Sequence, residues 1–113
     1  MDYRFKIASQ AKRDIKNIWL YIARDNSTAA DNFCDALLLA AESLQSFPHR
    51  IGPIARTSDI RKIAFETYLI FYRVDEKTST VEILRFWHAA RDQNRLHLRE
   101  EPVGYALSSN LAS

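Results

Sequence analysis

Positive charges interrupt the most apolar stretch of the chain. Residues 68–92 contain two runs rich in β-branched and aromatic residues, and Arg73, Arg85, His88 and Arg91 lie within them or directly after them. Burying an unpaired guanidinium is costly, so each arginine must reach a sheet edge, an acidic partner or a ligand. Histidine changes its charge near neutral pH and can serve as a base or as a hydrogen-bonding switch. This stretch is therefore the candidate functional region.

Each candidate residue also has a structural alternative. Arg61, on the preceding apolar run, could bind a phosphate or an acidic group of a partner, and it could equally pair within the chain. A histidine where a strand ends is often a cap or a hydrogen-bonded core residue. The internal partners that the sequence leaves open are Asp59 or Glu82 for Arg61, Asp75 or Glu76 for Arg73, and Asp92 for Arg91.

The elements that position these charges are predicted to be strands. Turn-forming residues 75–79 separate the two apolar runs into a β-hairpin, and residues 60–65 form a strand before it, joined by a tight turn. Both hairpin strands are apolar on two faces, which is typical of strands in the middle of a sheet. In the first strand Tyr68, Ile70, Tyr72 and Val74 oppose Leu69 and Phe71, and in the second Val81, Ile83 and Trp87 are predicted to oppose Leu84 and Phe86.

Two amphipathic helices are predicted before the sheet. Ser9 is placed as the cap of the first helix, Asn26, Ser27 or Thr28 as the cap of the second, and Pro48 at its end. The short link between the helices predicts an antiparallel helical hairpin. The apolar positions at helical spacing are Ala11, Ile15, Ile18, Trp19 and Ile22, then Ala30, Phe33, Leu37, Ala40, Ala41 and Leu44.

The order of elements favours an α+β fold. Residues 3–7 alternate apolar and basic, as an edge strand does, and can extend the three-stranded antiparallel meander. Helices followed by strands favour a helical hairpin on one face of an antiparallel sheet, and residues 89–98 are predicted to form a short C-terminal helix. Residues 1–99 are expected to form one domain, and residues 100–113, which contain Pro, Gly and Ser, a mobile tail.

Composition narrows the classes of function. Of 113 residues, 47% are hydrophobic and 12% aromatic, as in a folded globule. The single cysteine, Cys34, excludes an internal disulfide and a cysteine-based zinc site, and the histidines lack ligand spacing, so neither a metal nor a cofactor is expected. The chain begins without a signal-peptide pattern, and no apolar run approaches the roughly 18 residues of a membrane span. A cytoplasmic protein is the expectation.

The charge is distributed unevenly. Residues 1–49 carry no net charge, residues 50–99 carry +4 and residues 100–113 carry −2. A basic sheet favours an anionic partner, either nucleic acid or an acidic protein segment. With both helices on one face of the sheet, apolar residues on the other face also need cover, which a short C-terminal helix can supply only in part. A protein partner is therefore expected at that face.

Five segments of the chain together carry a family pattern: Ala11-x-x-Asp14-Ile15-x-x-Ile18-x-x-Tyr21-Ile22, Leu44-x-x-Phe47-Pro48, Ile60-Arg61, Tyr68-x-Ile70-x-Tyr72-Arg73-Val74 and Val81-Glu82-Ile83-Leu84-Arg85-Phe86-x-His88-x-Ala90-Arg91-Asp92. Over about residues 3–98 the chain resembles the RelE/ParE superfamily of type II toxin–antitoxin toxins, and its last segment is most similar to the ParE branch. The resemblance implies a small toxin held inactive in a hetero-oligomer with a cognate antitoxin.

The two branches imply different mechanisms. RelE-like members are metal-independent mRNA endonucleases that act on the ribosome, which requires a base for the 2′-hydroxyl and cations for the phosphate. His88 could be that base, with Arg61, Arg85 and Arg91 as the cations, but Leu69 stands where the RelE pattern has an arginine. ParE-like members inhibit DNA gyrase without chemistry on a substrate, and the chain resembles them more closely.

The resemblance therefore implies a ParE-like inhibitor of DNA gyrase. The residues expected to contact the target or the antitoxin are Arg61, Arg73, Arg85, His88 and Arg91. The first alternative is a RelE-like endonuclease whose partners are the ribosome and mRNA. The second is a non-toxic interaction module whose sheet face binds an acidic partner.

Overall fold

The fold is α+β, with two helices and one four-stranded sheet. A computed structural model describes residues 3–49, 52–54, 59–91, 93, 96 and 98. The elements in chain order are β1 (Arg4–Ile7), α1 (Ser9–Ala23), α2 (Ser27–Glu42) with a short 3-10 turn at Ser43–Gln45, β2 (Ile60–Phe65), β3 (Tyr68–Asp75) and β4 (Thr80–His88).

The strands are arranged in the order β1-β4-β3-β2. The predicted hairpin, β3 and β4, lies in the middle of the sheet, and the N-terminal strand adds at an edge, as expected. β1 pairs with β4 in parallel, whereas β2, β3 and β4 pair antiparallel. The sheet is therefore mixed, and the prediction of a wholly antiparallel sheet is wrong for β1. Because two helices separate β1 from the other strands in the chain, no tight hairpin turn forces β1 to pair antiparallel.

The helices pack against each other and are joined by only three residues. Asn26 caps α2, since its side chain accepts a hydrogen bond from the backbone N–H of Ala29 at 2.9 Å, which confirms one of the predicted caps. The prediction for Ser9 is wrong: Ser9 is the first residue of α1, and Ala8 before it makes no side-chain cap bond. The backbone N–H of Ala8 still donates to Ile83 in β4, so α1 begins directly where strand pairing ends.

The main core lies between the helices and the face of the sheet that they cover, called here the inner face. Fully buried side chains from both helices meet the alternate residues of β3 that were predicted to share one face. The largest of these buried side chains are Tyr72, Leu37, Leu44, Ile70, Ile83 and Val81. A second, smaller cluster lies on the opposite face, called the outer face, and contains Ile60, Phe71, Leu84 and Trp87.

A β-bulge corrects the predicted facing of β4. The register changes between Phe71 and Tyr72, so that Phe71 pairs with Arg85 while Tyr72 pairs with Ile83. The extra residue in β4 reverses the alternation after it. Phe86 therefore points to the inner core and Trp87 to the outer cluster, the opposite of the sequence-based prediction.

The ends of the elements follow the sequence in part. Glu66 adopts a left-handed backbone, φ 56°, in the tight turn between β2 and β3. The second helix ends at Glu42, before Pro48. At the start of the predicted C-terminal helix, Ala89, Ala90 and Arg91 form a turn and a bend. Most of residues 92–98, and all of the predicted tail 100–113, lie outside the described residues.

Candidate binding face of the sheet

The outer face carries an apolar centre. Ile60, Phe71, Leu84 and Trp87 are buried there, and the partly buried Leu69, Leu96 and Leu98 pack against them. Two of these leucines come from the segment after β4, which covers part of the face as the sequence predicted. Cationic side chains surround this centre, and their partners distinguish structural charges from accessible ones.

Arg73 is held by a carboxylate beside it on the outer face. Its Nη2 donates to Glu82 Oε1 at 3.0 Å, and the two side chains are only 12% and 5% exposed. Glu82 lies opposite Arg73 in the strand register. The sequence had offered Glu82 as a partner of Arg61 and not of Arg73. Asp75, a predicted partner, lies 4.0 Å from Arg73 Nη1, and Lys6 lies 3.9 Å from Glu82. The Nε atom of Arg73 is buried without a hydrogen-bond acceptor. Arg73 is therefore largely an internal charge.

Arg85 forms a bidentate ion pair with Asp14 of α1. Its Nε donates to Asp14 Oδ2 at 2.8 Å and its Nη2 to Oδ1 at 3.0 Å, and the two side chains are 16% and 9% exposed. Asp14 Oδ2 also accepts the backbone N–H of Phe86 at 3.0 Å. β1 ends at Ile7, opposite Ile83, so this stretch of β4 lies beyond the end of β1. The Asp14 carboxylate replaces the missing strand at that edge.

Two other cations of the outer face lie on aromatic rings and have no carboxylate partner among the described residues, whereas Arg85 lies 5.1 Å from the Trp87 ring centroid and is also bound to Asp14. The guanidinium of Arg91, an exposed residue, lies 3.9 Å from the centroid of the Trp87 ring. The ammonium of Lys62 lies 5.9 Å from the Phe71 ring centroid and donates to Gln93 at 3.2 Å. Neither cation makes an ion pair within the described part of the chain. Their charge is available to an external anion, while cation–π contact fixes their position.

His88 lies on the other side of the sheet from these two cations. Its ring meets that of Tyr68 edge-on, with centroids 5.1 Å apart, and Tyr68 packs against the inner core. The backbone N–H of Ala90 donates to His88 Nδ1 at 3.1 Å, so the proton of the neutral ring is on Nε2. Burial raises the pKa of Tyr68, which keeps its hydroxyl neutral. The structural alternative for His88, a hydrogen-bonded residue at a strand end, matches this arrangement.

Arg61 lies towards the opposite end of the inner face from His88. It pairs in register with Tyr72, and His88 pairs with Tyr68, four residues earlier on β3. The two positions are therefore about 13 Å apart along the strand direction, and β3 also lies between their strands. Arg61 is half-buried and acts electrostatically on Tyr3, whose hydroxyl donates to Glu76 at 2.9 Å. This hydrogen bond is the main cause that raises the pKa of Tyr3.

The structure does not gather the predicted residues into one catalytic cluster. Arg73 and Arg91 lie on the outer face, and His88 and Arg61 lie on the inner face. Arg85 reaches Asp14 at the strand edge beside α1, and its guanidinium also lies 5.1 Å from the Trp87 ring that Arg91 contacts. What the outer face offers is an apolar centre bordered by accessible cations, which suits binding of a macromolecule more than proton transfer.

Sequence reasoning missed the role of Asp14, although the signal was present. Asp14 follows Ala11 by three residues and precedes Ile18 by four, so it occupies the buried stripe of α1. A carboxylate in such a stripe needs a buried partner. Lys62 was missed because the ring beneath it, Phe71, becomes its neighbour only through strand pairing.

Other classes of site find no support among the described residues. No group of three His, Cys, Asp or Glu side chains there could hold a metal ion. Burial raises the pKa of the Cys34 thiol, so it remains protonated and unreactive, as expected for a core cysteine. The described helices include none with the length and hydropathy that a membrane crossing requires.

Comparison with known proteins identifies the family. A model of the ParE toxin of type II toxin–antitoxin systems, parDE, matches residues 5–93. The chain belongs to the ParE toxin family. The match spans every helix and strand described above except the first residue of β1. The predicted membership of the RelE/ParE superfamily is therefore confirmed, and the chain is a toxin of a type II toxin–antitoxin system. No curated protein matches this ParE-family chain significantly.

Solved structures share the fold of this ParE-family toxin. A chain in the RelBE2 toxin–antitoxin complex from Mycobacterium tuberculosis is 25% identical, with a TM-score of 0.60 over 78% of this chain and 99% of that one. A chain of the chromosomal ParDE system from P. aeruginosa is 18% identical, with a TM-score of 0.65 over 76% and 95%. The isolated E. coli RelE toxin is 16% identical, with a TM-score of 0.54 over 96% and 99%.

Proposed function

We propose that this toxin inhibits DNA gyrase in the cytoplasm and is neutralised by a cognate antitoxin. The observation that carries the proposal is the match of residues 5–93 to the ParE toxin family, together with the ParE-like last strand. The proposed action is binding, without chemistry on a substrate and without a metal or cofactor.

The arrangement of charges supports a binding function. Metal-free RNA cleavage needs a base and cations around one phosphate. His88 accepts a hydrogen bond on the inner face, whereas Arg91 lies over Trp87 on the outer face. Arg85, another cation of the catalytic set that an endonuclease would need, already donates two hydrogen bonds to the carboxylate of Asp14. A partner that contacts the accessible cations of the outer face requires no such convergence.

The outer face also supports an antitoxin partner. M. tuberculosis RelBE2 and E. coli RelBE are toxin–antitoxin complexes with this fold. In this chain, an acidic and amphipathic antitoxin segment would find apolar contacts around Trp87 and cations at Lys62 and Arg91. We therefore place the antitoxin or the target on this face, in a hetero-oligomer, with Arg91 as its principal accessible charge.

The alternative is a RelE-like endonuclease acting on mRNA in the ribosome. The fold that this chain shares with E. coli RelE keeps that alternative open. It requires His88 to leave the amide of Ala90 and reach a substrate together with free arginines. The interaction-module alternative requires instead that expression without an antitoxin leaves a host unharmed.

A supercoiling assay tests the proposal. Purified chain is expected to block gyrase supercoiling in a dose-dependent manner and to leave ribosome-bound mRNA intact. If supercoiling is unchanged at high toxin concentration while mRNA is cut on ribosomes, gyrase inhibition is contradicted and the endonuclease alternative is supported. In that case a His88→Ala/Arg85→Ala variant should lose cleavage. No effect in either assay, and no growth defect on expression, would support the interaction module.

A matched pair of variants locates the binding face. Arg91→Ala removes an accessible cation from the outer face, while Lys77→Ala removes one from the exposed β3–β4 turn. Arg91→Ala is expected to weaken gyrase inhibition or antitoxin binding by about tenfold or more, the loss of a central arginine contact. Its thermal midpoint should change little, because an exposed cation–π contact contributes only about 0.5–1 kcal/mol. If both variants weaken binding equally, Arg91 is not part of the interface.

A further inference from the structure

The exposed sides of the two helices carry opposite charges. The basic stripe, defined as Arg13, Lys16, Leu20 and Arg24, lies on α1 and at its C-cap. The acidic stripe, defined as Asp35, Leu39 and Glu42, lies on α2. The two stripes are on adjacent, packed helices and are about 16 Å and 10 Å long at 1.5 Å per residue.

Each stripe has an exposed leucine between charges of one sign. Leu20 is 49% exposed and Leu39 is 65% exposed. Leu20 follows the buried Ile18 by two residues, and Leu39 lies two residues from both Leu37 and Ala41, so both leucines point away from the core. Helical spacing sets the flanking charges one turn away: Lys16 and Arg24 around Leu20, and Asp35 and Glu42 around Leu39.

These charges are not neutralised within the described residues. Lys16, Asp35 and Glu42 make no ion pair there, and Arg24 lies over the Tyr21 ring at 5.5 Å. Two acidic residues close to the basic stripe have other partners: Asp14 is bound to Arg85, and Asp31 accepts the indole N–H of Trp19 at 2.7 Å. Asp25, directly after Arg24, is exposed and makes no ion pair among the described residues. The separation of charge between α1 and α2 therefore persists at the surface.

We propose that the stripes pair between two copies of this chain, the basic stripe of each against the acidic stripe of the other. Charge complementarity favours a second copy of this chain as the partner, because the helices of one chain carry both a basic and an acidic stripe, each with an exposed leucine. A two-fold dimer uses both pairings at once, which is the symmetry most common among homodimers. The contact is small and charged, so the dimer is transient and weakens as salt rises.

Charge reversal on either stripe should abolish self-association. The first variant, Arg13→Glu/Lys16→Glu, makes the basic stripe net negative although Arg24 remains, and the second, Asp35→Lys/Glu42→Lys, makes the acidic stripe basic. Each is expected to raise the apparent dissociation constant about tenfold or more in sedimentation velocity at low salt. A control, Arg4→Glu/Lys77→Glu, changes the charge as much as the first variant but at exposed strand and turn positions, and should dimerise like the wild type. Circular dichroism and thermal midpoints verify that each variant folds.

Mixing the two variants provides the decisive measurement. Each alone repels itself, but the acidic stripes of the first match the basic stripes of the second, so an equimolar mixture should form a heterodimer. A wild-type chain that stays monomeric at low salt and high concentration would overturn the proposal. So would a mixture without heterodimers, or a dimer that neither reversal weakens. Binding of only a foreign polyanion or acidic protein to the basic stripe, without self-association, would also overturn it.

Discussion

Two pairs of cations near the outer face differ in how they are held. Arg73 and Arg85 are mostly buried, and each is bound to a carboxylate within 3.0 Å. Lys62 and Arg91 lie over aromatic rings and have no carboxylate partner among the described residues, and Arg91 is exposed. Arg85 also lies 5.1 Å from the centroid of the Trp87 ring, so the two pairs differ in their carboxylate partners and not in ring contact alone. The first pair ties together elements of the fold, since Arg73 joins β3 to β4 and Arg85 joins β4 to α1. The second pair adds charge to an apolar surface without neutralising it.

This contrast shows which arginines of a strand-rich toxin are informative about function. An arginine flanked by buried residues must find a carboxylate, and its presence then records a folding constraint. An arginine that follows the strand, where the backbone returns to the surface, can be positioned by a ring and keep its charge for a partner. Arg85 was singled out in the sequence because its neighbours are buried, which indicates a folding constraint. Arg91 follows the strand and keeps its charge for a partner, so it is the more informative about function.

The largest stability effect is expected for Asp14→Ala. This change leaves Arg85 without its anion and Phe86 without a hydrogen-bond acceptor at a strand edge. Removing one member of a buried ion pair costs about 3–5 kcal/mol. Urea denaturation at neutral pH measures the loss.

Two further variants separate the parts of this effect. Asp14→Asn keeps an oxygen for the Phe86 amide and should lose less stability than Asp14→Ala. Asp14→Leu/Arg85→Met replaces both charges by apolar groups and should recover part of the loss, leaving the unpaired Phe86 amide. A loss below about 1 kcal/mol for Asp14→Ala would mean that Arg85 is free to turn outward, and Arg85 would then rejoin Arg91 as a binding residue.

A smaller effect is expected at Arg73. Glu82→Gln removes its main anion, but Asp75 remains 4.0 Å away, so the expected loss is roughly 2–3 kcal/mol. Because Arg73 Nε already lacks an acceptor, the double variant Arg73→Met/Glu82→Leu should be more stable than Glu82→Gln alone. The same denaturation experiment compares them. If the double variant is the less stable of the two, the ion pair contributes net stability and the classification of Arg73 as a tolerated internal charge is wrong.

The sequence predicted the elements because periodicity and turn residues depend on local chemistry. The central hairpin, β2 and the Asn26 cap follow from neighbours in the chain. The parallel pairing of β1 and the bulge that exchanges Phe86 and Trp87 depend on contacts between distant segments. One extra residue in β4 was enough to reverse the facing of every residue after it.

The candidate site was predicted less completely than the fold. Sequence alone located Arg85 but could not assign its partner, because Asp14 lies 71 residues away. For Arg91 it offered Asp92, which lies outside the described residues. The family pattern contained Asp14, yet only the three-dimensional structure shows that it completes a strand edge. The positions of Lys62 over Phe71 and of His88 opposite Tyr68 likewise come from strand register.

The smallest effect concerns Asp75, the weak second anion of Arg73. Burial acts to raise the pKa of Asp75, but hydrogen bonds from the Thr78 and Lys77 backbone, and then the charge of Arg73, hold it below its ordinary value. Because the pKa of Asp75 is lower in the folded state, Asp75 contributes stability at a pH above its unfolded pKa of about 3.9. This contribution is lost as the pH falls from that value through the lower folded-state pKa. Asp75→Asn should therefore flatten the decline of stability between about pH 5 and pH 2.

Carboxyl NMR titration of the Arg73→Met variant then assigns the cation. If Arg73 is shared between Glu82 and Asp75, its removal should raise the pKa of Asp75 slightly, because the turn hydrogen bonds from Lys77 and Thr78 remain. If the Asp75 titration is unchanged, Arg73 serves Glu82 alone, and the contrast with Arg91 is complete: one guanidinium fixed by a single buried carboxylate, the other fixed by a ring. A large rise would instead show that Arg73 is positioned mainly by the β3–β4 turn, which would place it closer to the accessible cations than its burial suggests.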